Sequence, residues 1–452
     1  MQNITIFDYL LLPVYLYIFY LIIRKRSVKY TDAELRKYFL IAFFLRMFGS
    51  VAYSMLVQYY YGYGDSFIYY YGSNYLRDQI LQDGSNIKYL FAKAAEVKTW
   101  YNVEVNNINY AGYFGIESNL FVMKISAVLS FLSFNSFLII SLFFGLFSFA
   151  GQWRMFLVFN DINKGKQLKL LAWAVLLTPS IWFWGSGLMK DSVCIGGLGF
   201  IIHYLYKIFI TKNRSVKDII ILLILLYVVG SIKSYIIIIL GISIATMAFT
   251  RFITAIKNIV IKAFVIVVFL FATVIVAFIT NFSDQVQSFT EESIMQFDNF
   301  QHNYEVLQNT EENSEGGLKS VTIDNSLQGL LLQTPLAAFT CLFRPFIWES
   351  GKLIIVFTSL ESLLLLLATV FVFFKVGILR FFRVIFNDPY ILTAFTMSML
   401  FAVLIGLTTY NFGTMARYKI ILLPFFYFML VNLYLQTTDD YKKDSEGVVN
   451  SA

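Results

Sequence analysis

The chain has 452 residues, of which 58% are hydrophobic and only 14% charged, and its mean hydropathy is +0.68. A soluble domain carries roughly 25% charged residues, so a soluble enzyme and a string of soluble modules are both excluded. Two cysteines (Cys194, Cys341) and two histidines (His203, His302) leave no CxxC, no HExxH and no His-paired nucleophile, which removes zinc sites, disulfide scaffolds and Ser-His-Asp hydrolysis. The net charge of +7 takes its meaning from where the charges lie, and no nucleic-acid partner is expected.

Apolar runs near the ~20 residues needed to cross a ~30 Å hydrocarbon layer recur along the whole length. They predict crossings at about 5–23, 38–57, 136–157, 168–184, 192–210, 217–231, 234–251, 261–280, 352–374, 388–409 and 417–435. The expected fold is therefore all-α, a polytopic membrane protein with about eleven transmembrane helices. Arg24, Lys25, Arg26 and Lys29, followed by Arg36 and Lys37, sit between the first two crossings, and the positive-inside rule places that loop in the cytoplasm and the N-terminus outside. Every second short loop thereafter should be basic. Arg154, Lys164, Lys166 and Lys169 meet that expectation, as do Lys207, Lys212, Arg214 and Lys217, then Arg251, Lys257 and Lys262, then Lys375, Arg380 and Arg383. The first span has no small-residue cleavage site after a short apolar core and reads as a retained helix.

The organisation that follows is one transmembrane domain over 1–436 and a cytoplasmic tail at 437–452. Two large segments face outward: 58–135, with interfacial helices, and 281–350, an acidic loop leading into a re-entrant segment. The acidic loop sets Asp284, Glu291, Glu292, Asp298, Glu305, Glu311, Glu312, Glu315 and Asp324 against the single base Lys319, a pattern that suits either a solvated cap or a ligand surface. The short apolar stretch from Asn119 to Ser133 is expected to lie along the outer interface; a twelfth crossing there would break the parity.

With this topology the polar motifs all land outside: Gly62 to Ser66, Gly185 to Ser192, Lys233, Arg344 to Glu349, and Asn411 to Lys419. Lys190, Lys233, Arg344, Arg417 and Lys419 are bases where few are expected, and departures from a local rule tend to mark function. Bases at a membrane surface suit an anionic head group such as a polyprenyl phosphate, with arginine giving a bidentate fork and lysine a point charge. A sugar phosphate has a good leaving group, so one carboxylate base acting on an acceptor hydroxyl suffices, whereas glycosidases ordinarily need two. Asp65 is the expected base: Gly62 and Gly64 permit a tight turn, and Tyr59 to Tyr61 and Tyr69 to Tyr71 offer faces for sugar stacking. An interfacial tyrosine belt around a capping aspartate would look the same in sequence. Asp191 is read as a second catalytic candidate or as a helix cap, and Lys190, Lys233, Arg344, Glu349, Arg417 and Tyr418 as ligands of the lipid phosphate. Structural alternatives stand beside these: an Arg344–Glu349 ion pair, an Arg417 that snorkels outward, and an Arg46 and Glu361 that serve packing or neutralise each other.

At these residues the sequence resembles the GT-C-type glycosyltransferases of bacterial surface-polysaccharide assembly, which take sugar from a polyprenyl-phosphate carrier. The resemblance rests on Gly64-Asp65-Ser66, on Pro179-Ser180 with Trp182 and Lys190-Asp191, on Arg344-Pro345-Phe346-Ile347-Trp348-Glu349, and on Arg417 with Pro424. It implies that an acid in the first outer loop is the catalytic base, the place Asp65 occupies. Asp65 follows the second crossing and not the first, and no acidic pair surrounds it, two departures from the family pattern of which the second counts against a divalent metal as cofactor. The expected function is an inverting glycosyltransferase at the outer face of a bacterial inner membrane, with a polyprenyl-phosphate carrier and a glycan or protein acceptor as partners. An O-antigen-type polymerase or ligase is the first alternative. The second is a non-catalytic subunit or transporter of an envelope complex, which would bring partner subunits.

Overall fold

The computed structural model describes residues 3–98, 104–105, 108–109, 111–256, 327–350, 353–409 and 411–435. Apart from one two-residue antiparallel ladder, in which Glu104 pairs with Asn109 and Val105 with Ile108, the regular structure of these residues is helical. Seven helices are long and apolar enough to cross a membrane, or eight if a bent pair near the C-terminus counts as one span. The protein is thus an all-α, multi-pass membrane protein. The expected crossing at 261–280, most of the acidic loop and the tail from 437 lie outside the described residues.

Two compact units emerge, Met1–Ile238 and Ile239–Ala452. The first opens with α1 (Ile6–Ser27), whose N-terminus is closed by a capping box: Asp8 Oδ2 accepts from the Thr5 N–H at 2.8 Å and the Thr5 hydroxyl at 2.7 Å. Ile6, Leu10, Val14, Ile18 and Leu21 on this helix are exposed, the arrangement expected of a helix whose solvent is lipid. α2 (Ala33–Leu56) starts at the Asp32 cap and ends in a π-helical turn, Val57–Tyr61. α3 (Asp65–Gln82) and α4 (Glu117–Leu132) pack on each other. At 16 residues and ~1.5 Å per residue, α4 spans about 24 Å and is too short for a full crossing.

α5 (Phe137–Ile162) is the central helix of this unit, with 67% of its apolar window buried. After it the expected crossing at 168–184 is broken. The structure has α6 (Leu168–Ala172), a π-helical turn (Trp173–Leu177) and α7 (Pro179–Trp184), because Pro179 pushes Thr178 into extended backbone at ψ 125 and interrupts the helix. α8 (Lys190–Leu205) then packs against α5, followed by α9 (Val216–Ile232) and by α10 (Ser234–Ala255), whose residues from Ile239 onward belong to the second unit. The α5–α8 contact needs glycine: a Cβ on Gly151 would sit 1.8 Å from the Gly196 carbonyl oxygen, and one on Gly199 would sit 2.2 Å from that of Gly151. In lipid there is little hydrophobic drive between helices, so such close backbone approach supplies much of the association.

In the second unit, α11 (Leu327–Phe343) occupies residues that the sequence assigns to loop and re-entrant segment. It packs on α14 (Pro389–Thr408), and Gly406 lies so close to Ala337 that a Cβ there would meet the Ala337 carbonyl oxygen at 2.1 Å. α12 (Leu353–Val376) precedes α13 (Ile378–Asn387), a short amphipathic helix that buries Phe381 and Ile385 and exposes Leu379 and Phe386. The expected last crossing at 417–435 is α15 (Phe412–Tyr418) and α16 (Leu423–Leu435), bent by 62° at the intervening break.

Candidate functional site

Asp65 is the first residue of α3. The turn before it is left-handed at both expected glycines, with φ +70 at Gly62 and +139 at Gly64, a conformation that any Cβ would strain. The Tyr113 hydroxyl donates to Asp65 Oδ1 at 2.9 Å, and Asn119 Nδ2 donates to the Tyr113 carbonyl at 2.9 Å, so the carboxylate is oriented from the start of α4. Its neighbour Ser66 is buried and shares a 3.0 Å hydrogen bond with the Tyr53 hydroxyl. The tyrosines around the turn differ from expectation. Tyr69 and Tyr70 are buried, Tyr70 donating to the Asn135 carbonyl, while Tyr59, Tyr60 and Tyr63 are exposed. Packing of α3 on its neighbours takes the first pair out of reach of a sugar.

The Gly185 to Met189 stretch, expected as an outer loop, is buried in full. Arg46, 2% exposed and within α2, explains how a broken helix end stays dry: its guanidinium donates to the carbonyls of Ile181 at 3.0 Å and Gly185 at 2.8 Å, and to Gln152. The Ile181 carbonyl already accepts from the Gly185 N–H, whereas the Gly185 carbonyl lies at the helix end and has no partner within α7. Arg46 therefore completes a helix terminus, and its hydrogen bonds are not the neutralisation of Glu361 that the sequence offered as an alternative. Gly187 lies flat on Tyr53, where a Cβ would be 2.0 Å from the ring.

Lys190 opens α8. Its ammonium donates to the Ser118 hydroxyl, at the start of α4, at 2.7 Å, and the charges of Lys233, Asp65 and Asp191 all bear on it. Asp191, 1% exposed, is not the helix cap: Met189 holds the cap position, and the Asp191 carboxylate pairs with Lys233 at 2.5 Å. Lys233 stands between α9 and α10 and is buried as well. Four residues spread over 169 positions, Asp65 to Lys233, thus form one cluster in the first unit. The N-terminal ends of α3, α4 and α8 meet there, each carrying partial positive charge. With Asp191 and Lys233 paired, Asp65 and Lys190 are the pair that lies nearer the surface.

The remaining candidates belong to the second unit. Arg344 forms a two-pronged bond with Glu349: its Nε donates to Oε2 at 3.1 Å and its terminal nitrogen to Oε1. The Phe346 N–H also donates to Glu349 Oε2, at 2.8 Å. Partial burial alone would raise the Glu349 carboxyl, but the Arg344 fork and the Phe346 N–H outweigh it and hold the group below the usual glutamate range. The ion-pair account of Arg344 is what the structure contains. Arg344 also lies over the Phe412 ring at 5.5 Å, which joins this turn to the Asn411 to Lys419 motif. Arg417 sits over the Tyr418 ring at 5.2 Å.

Residues that the sequence did not single out complete both places. Tyr113 and Ser118 hold Asp65 and Lys190, and nothing marks one tyrosine among 30 or a serine in an apolar run. Lys419 was noted as an outlying base but not placed in a site. It is 1% exposed, donates to the Ser362 hydroxyl at 2.7 Å and feels the charge of Glu361. Ser362 in turn donates to the Arg344 carbonyl at 3.2 Å. A buried lysine inside an apolar run was the available signal.

Among the described residues no three His, Cys, Asp or Glu side chains gather to hold a metal ion. Around Asp65 the two carboxylates are matched by two ammonium groups, and the three helix N-termini tip the balance toward an anion. No known protein family, curated protein or solved structure matches the chain.

Proposed function

We propose that this protein is an inverting glycosyltransferase of the bacterial inner membrane, using a polyprenyl-phosphate-linked sugar at the outer face in cell-surface glycan assembly. The reading includes eleven crossings with the N-terminus outside and the C-terminus in the cytoplasm, on the charge asymmetry of the loops. The observation that carries it is the Asp65–Lys190 pair where three helix N-termini converge. Lys190 and those helix ends take the donor phosphate. Asp65, oriented by Tyr113, accepts the proton of the acceptor hydroxyl as its oxygen bonds to the anomeric carbon from the side opposite the phosphate. The carbon–oxygen bond to the phosphate breaks, and the lipid phosphate leaves with the electron pair. A single accessible carboxylate suits transfer, where hydrolysis would need a second to protonate the leaving alcohol. The buried Asp191–Lys233 pair positions α8 and Lys190. Exposed Tyr59, Tyr60 and Tyr63 offer the stacking faces.

The test is turnover of a polyprenyl-phosphate sugar by the purified chain and by Asp65→Asn at matched yield. The substitution keeps size and hydrogen-bonding reach while removing basicity, and is expected to cost on the order of 10²–10⁴ in rate with lipid binding retained. Full activity in the variant would remove Asp65 as the base. A second reading, a transporter or non-catalytic subunit, draws on the buried Glu361 within α12 and the buried Lys419 at the break between α15 and α16. Lipid binding by the wild type without transfer to any acceptor would favour it; transfer between two lipid-linked glycans would point to a polymerase.

A further inference from the structure

The candidate span Lys190–Ile210 puts Lys190 at one membrane face and Lys207 near the other. At that second end a cleft of about 700 Å³ opens between the end of α5, the turn after it, the end of α8 and the start of α9. Its walls hold Arg154, Lys164, Lys207 and His203 against two acids, Asp161 and Asp218. Both acids are engaged. The Tyr206 hydroxyl donates to Asp161 at 2.5 Å, and Asp218 pairs with Lys207 at 2.9 Å and accepts from Ser215 at 2.8 Å. The side chains of Arg154 and Lys164 make no hydrogen bond or ion pair with the described residues. Arg154 and Lys207 also bear electrostatically on the His203 ring, so positive charge collects along one wall. Lys164 and Gly165 are held in left-handed backbone, φ +53 and +73, in the turn that brings Lys164 to the rim. Asn160 lines the same cleft, and its buried Oδ1 has no hydrogen-bond partner, an acceptor waiting for a donor.

We infer that this cleft binds a hydroxyl-bearing phosphate ester, independently of the transfer reaction proposed above. The Arg154 fork and the Lys164 ammonium take the phosphate oxygens, and Asn160 Oδ1 accepts from a ligand hydroxyl. Two sources share that chemistry: the head group of an anionic lipid such as phosphatidylglycerol, and a water-soluble ester such as glycerol 3-phosphate. Phe209, exposed and apolar, lies two residues from Lys207 on the same helix end and favours a ligand that arrives from the bilayer.

The full chain in detergent is titrated with short-chain phosphatidylglycerol, short-chain phosphatidylcholine and glycerol 3-phosphate, and binding is read by calorimetry. Phosphatidylglycerol is expected to bind at least tenfold more tightly than phosphatidylcholine, and Arg154→Gln to weaken it about tenfold, while Arg383→Gln in the second unit leaves it unchanged. Binding of glycerol 3-phosphate with the same dependence on Arg154 would assign the cleft to a soluble ester. Asn160→Leu is expected to erase the preference for phosphatidylglycerol over phosphatidylmethanol, which lacks the hydroxyls. Should Arg154→Gln not fold, Arg154→Lys and Lys164→Gln carry the same comparison. Equal affinity for both phospholipids without glycerol 3-phosphate binding, or equal losses in Arg154→Gln and Arg383→Gln, overturns the proposal.

Discussion

Each unit contains an ion pair, and the two pairs are held in opposite ways. In the second, Arg344 and Glu349 are five residues apart, partly exposed, and joined within one turn. In the first, Lys233 and Asp191 are 42 residues apart, both nearly inaccessible, and joined only because α8 and the α9–α10 junction pack together. A local pair forms wherever its turn forms and stays near water, so it is cheap to make and cheap to lose. A long-range buried pair exists only in the folded protein, and removing one partner strands the other in an apolar interior. The same contrast separates Asp65, held by a tyrosine 48 positions away, from Arg417, stacked on its own neighbour.

The comparison breaks first, and hardest, at Lys233. Lys233→Ala is expected to destabilise the protein by about 3–5 kcal/mol because it removes the ammonium against which Asp191 is buried. Replacing both, as Asp191→Leu with Lys233→Met, should recover most of that loss. Denaturant unfolding of the three proteins in a common detergent reads it, and a double variant as unstable as the single would show that the pair is not the cause. A smaller effect is expected at Gly151, where Ala forces apart α5 and α8 at the point of closest approach and should cost about 1–3 kcal/mol. The melting temperature of Gly151→Ala beside that of Gly241→Ala, which has open space at its Cβ position, is the measurement.

The local pair gives the least. Arg344→Lys keeps the charge but loses the fork, and is expected to cost roughly 0.2–1 kcal/mol with no change in head-group affinity. Its pH dependence has a fixed sign. The Glu349 carboxyl is held below its unfolded value, so its contribution is complete above the ordinary glutamate range and is lost as pH falls through the lower folded value. The stability advantage of the native protein over Glu349→Gln should therefore be present at neutral pH and vanish on acidification. An advantage that grows as pH falls would mean that the pairing does not set that group's titration.

Much of the fold was legible because apolar run length is a local property. α1, α2, α5, α8, α10, α12 and α14 fall where the sequence predicts crossings. The breaks were less legible. Pro179 was visible, but that the short helix after it would end at Gly185 and still remain buried required Arg46, 139 positions from the Gly185 carbonyl it satisfies. α11 falls inside the segment that the sequence assigns to loop and re-entrant turn, and Pro335 lies within the helix. In the site, the glycine turn before Asp65 was readable from Gly62 and Gly64, since positive φ is a backbone property of those residues alone. Which tyrosines face outward was not, because Tyr69 and Tyr59 are chemically identical and only packing buries one and exposes the other.

By itself the sequence determined that this protein is built of apolar helices in a membrane, because each helix must satisfy its own backbone in lipid and so carries its signature in consecutive residues. It also determined which polar residues were out of place. What only the tertiary structure decided was their partnership: that Asp65, Lys190, Asp191 and Lys233 share one cluster, and that Lys419 is buried on Ser362. Electrostatic and hydrogen-bonding contacts reach a few ångströms in space, whatever the separation along the chain, so no run of neighbouring residues encodes them.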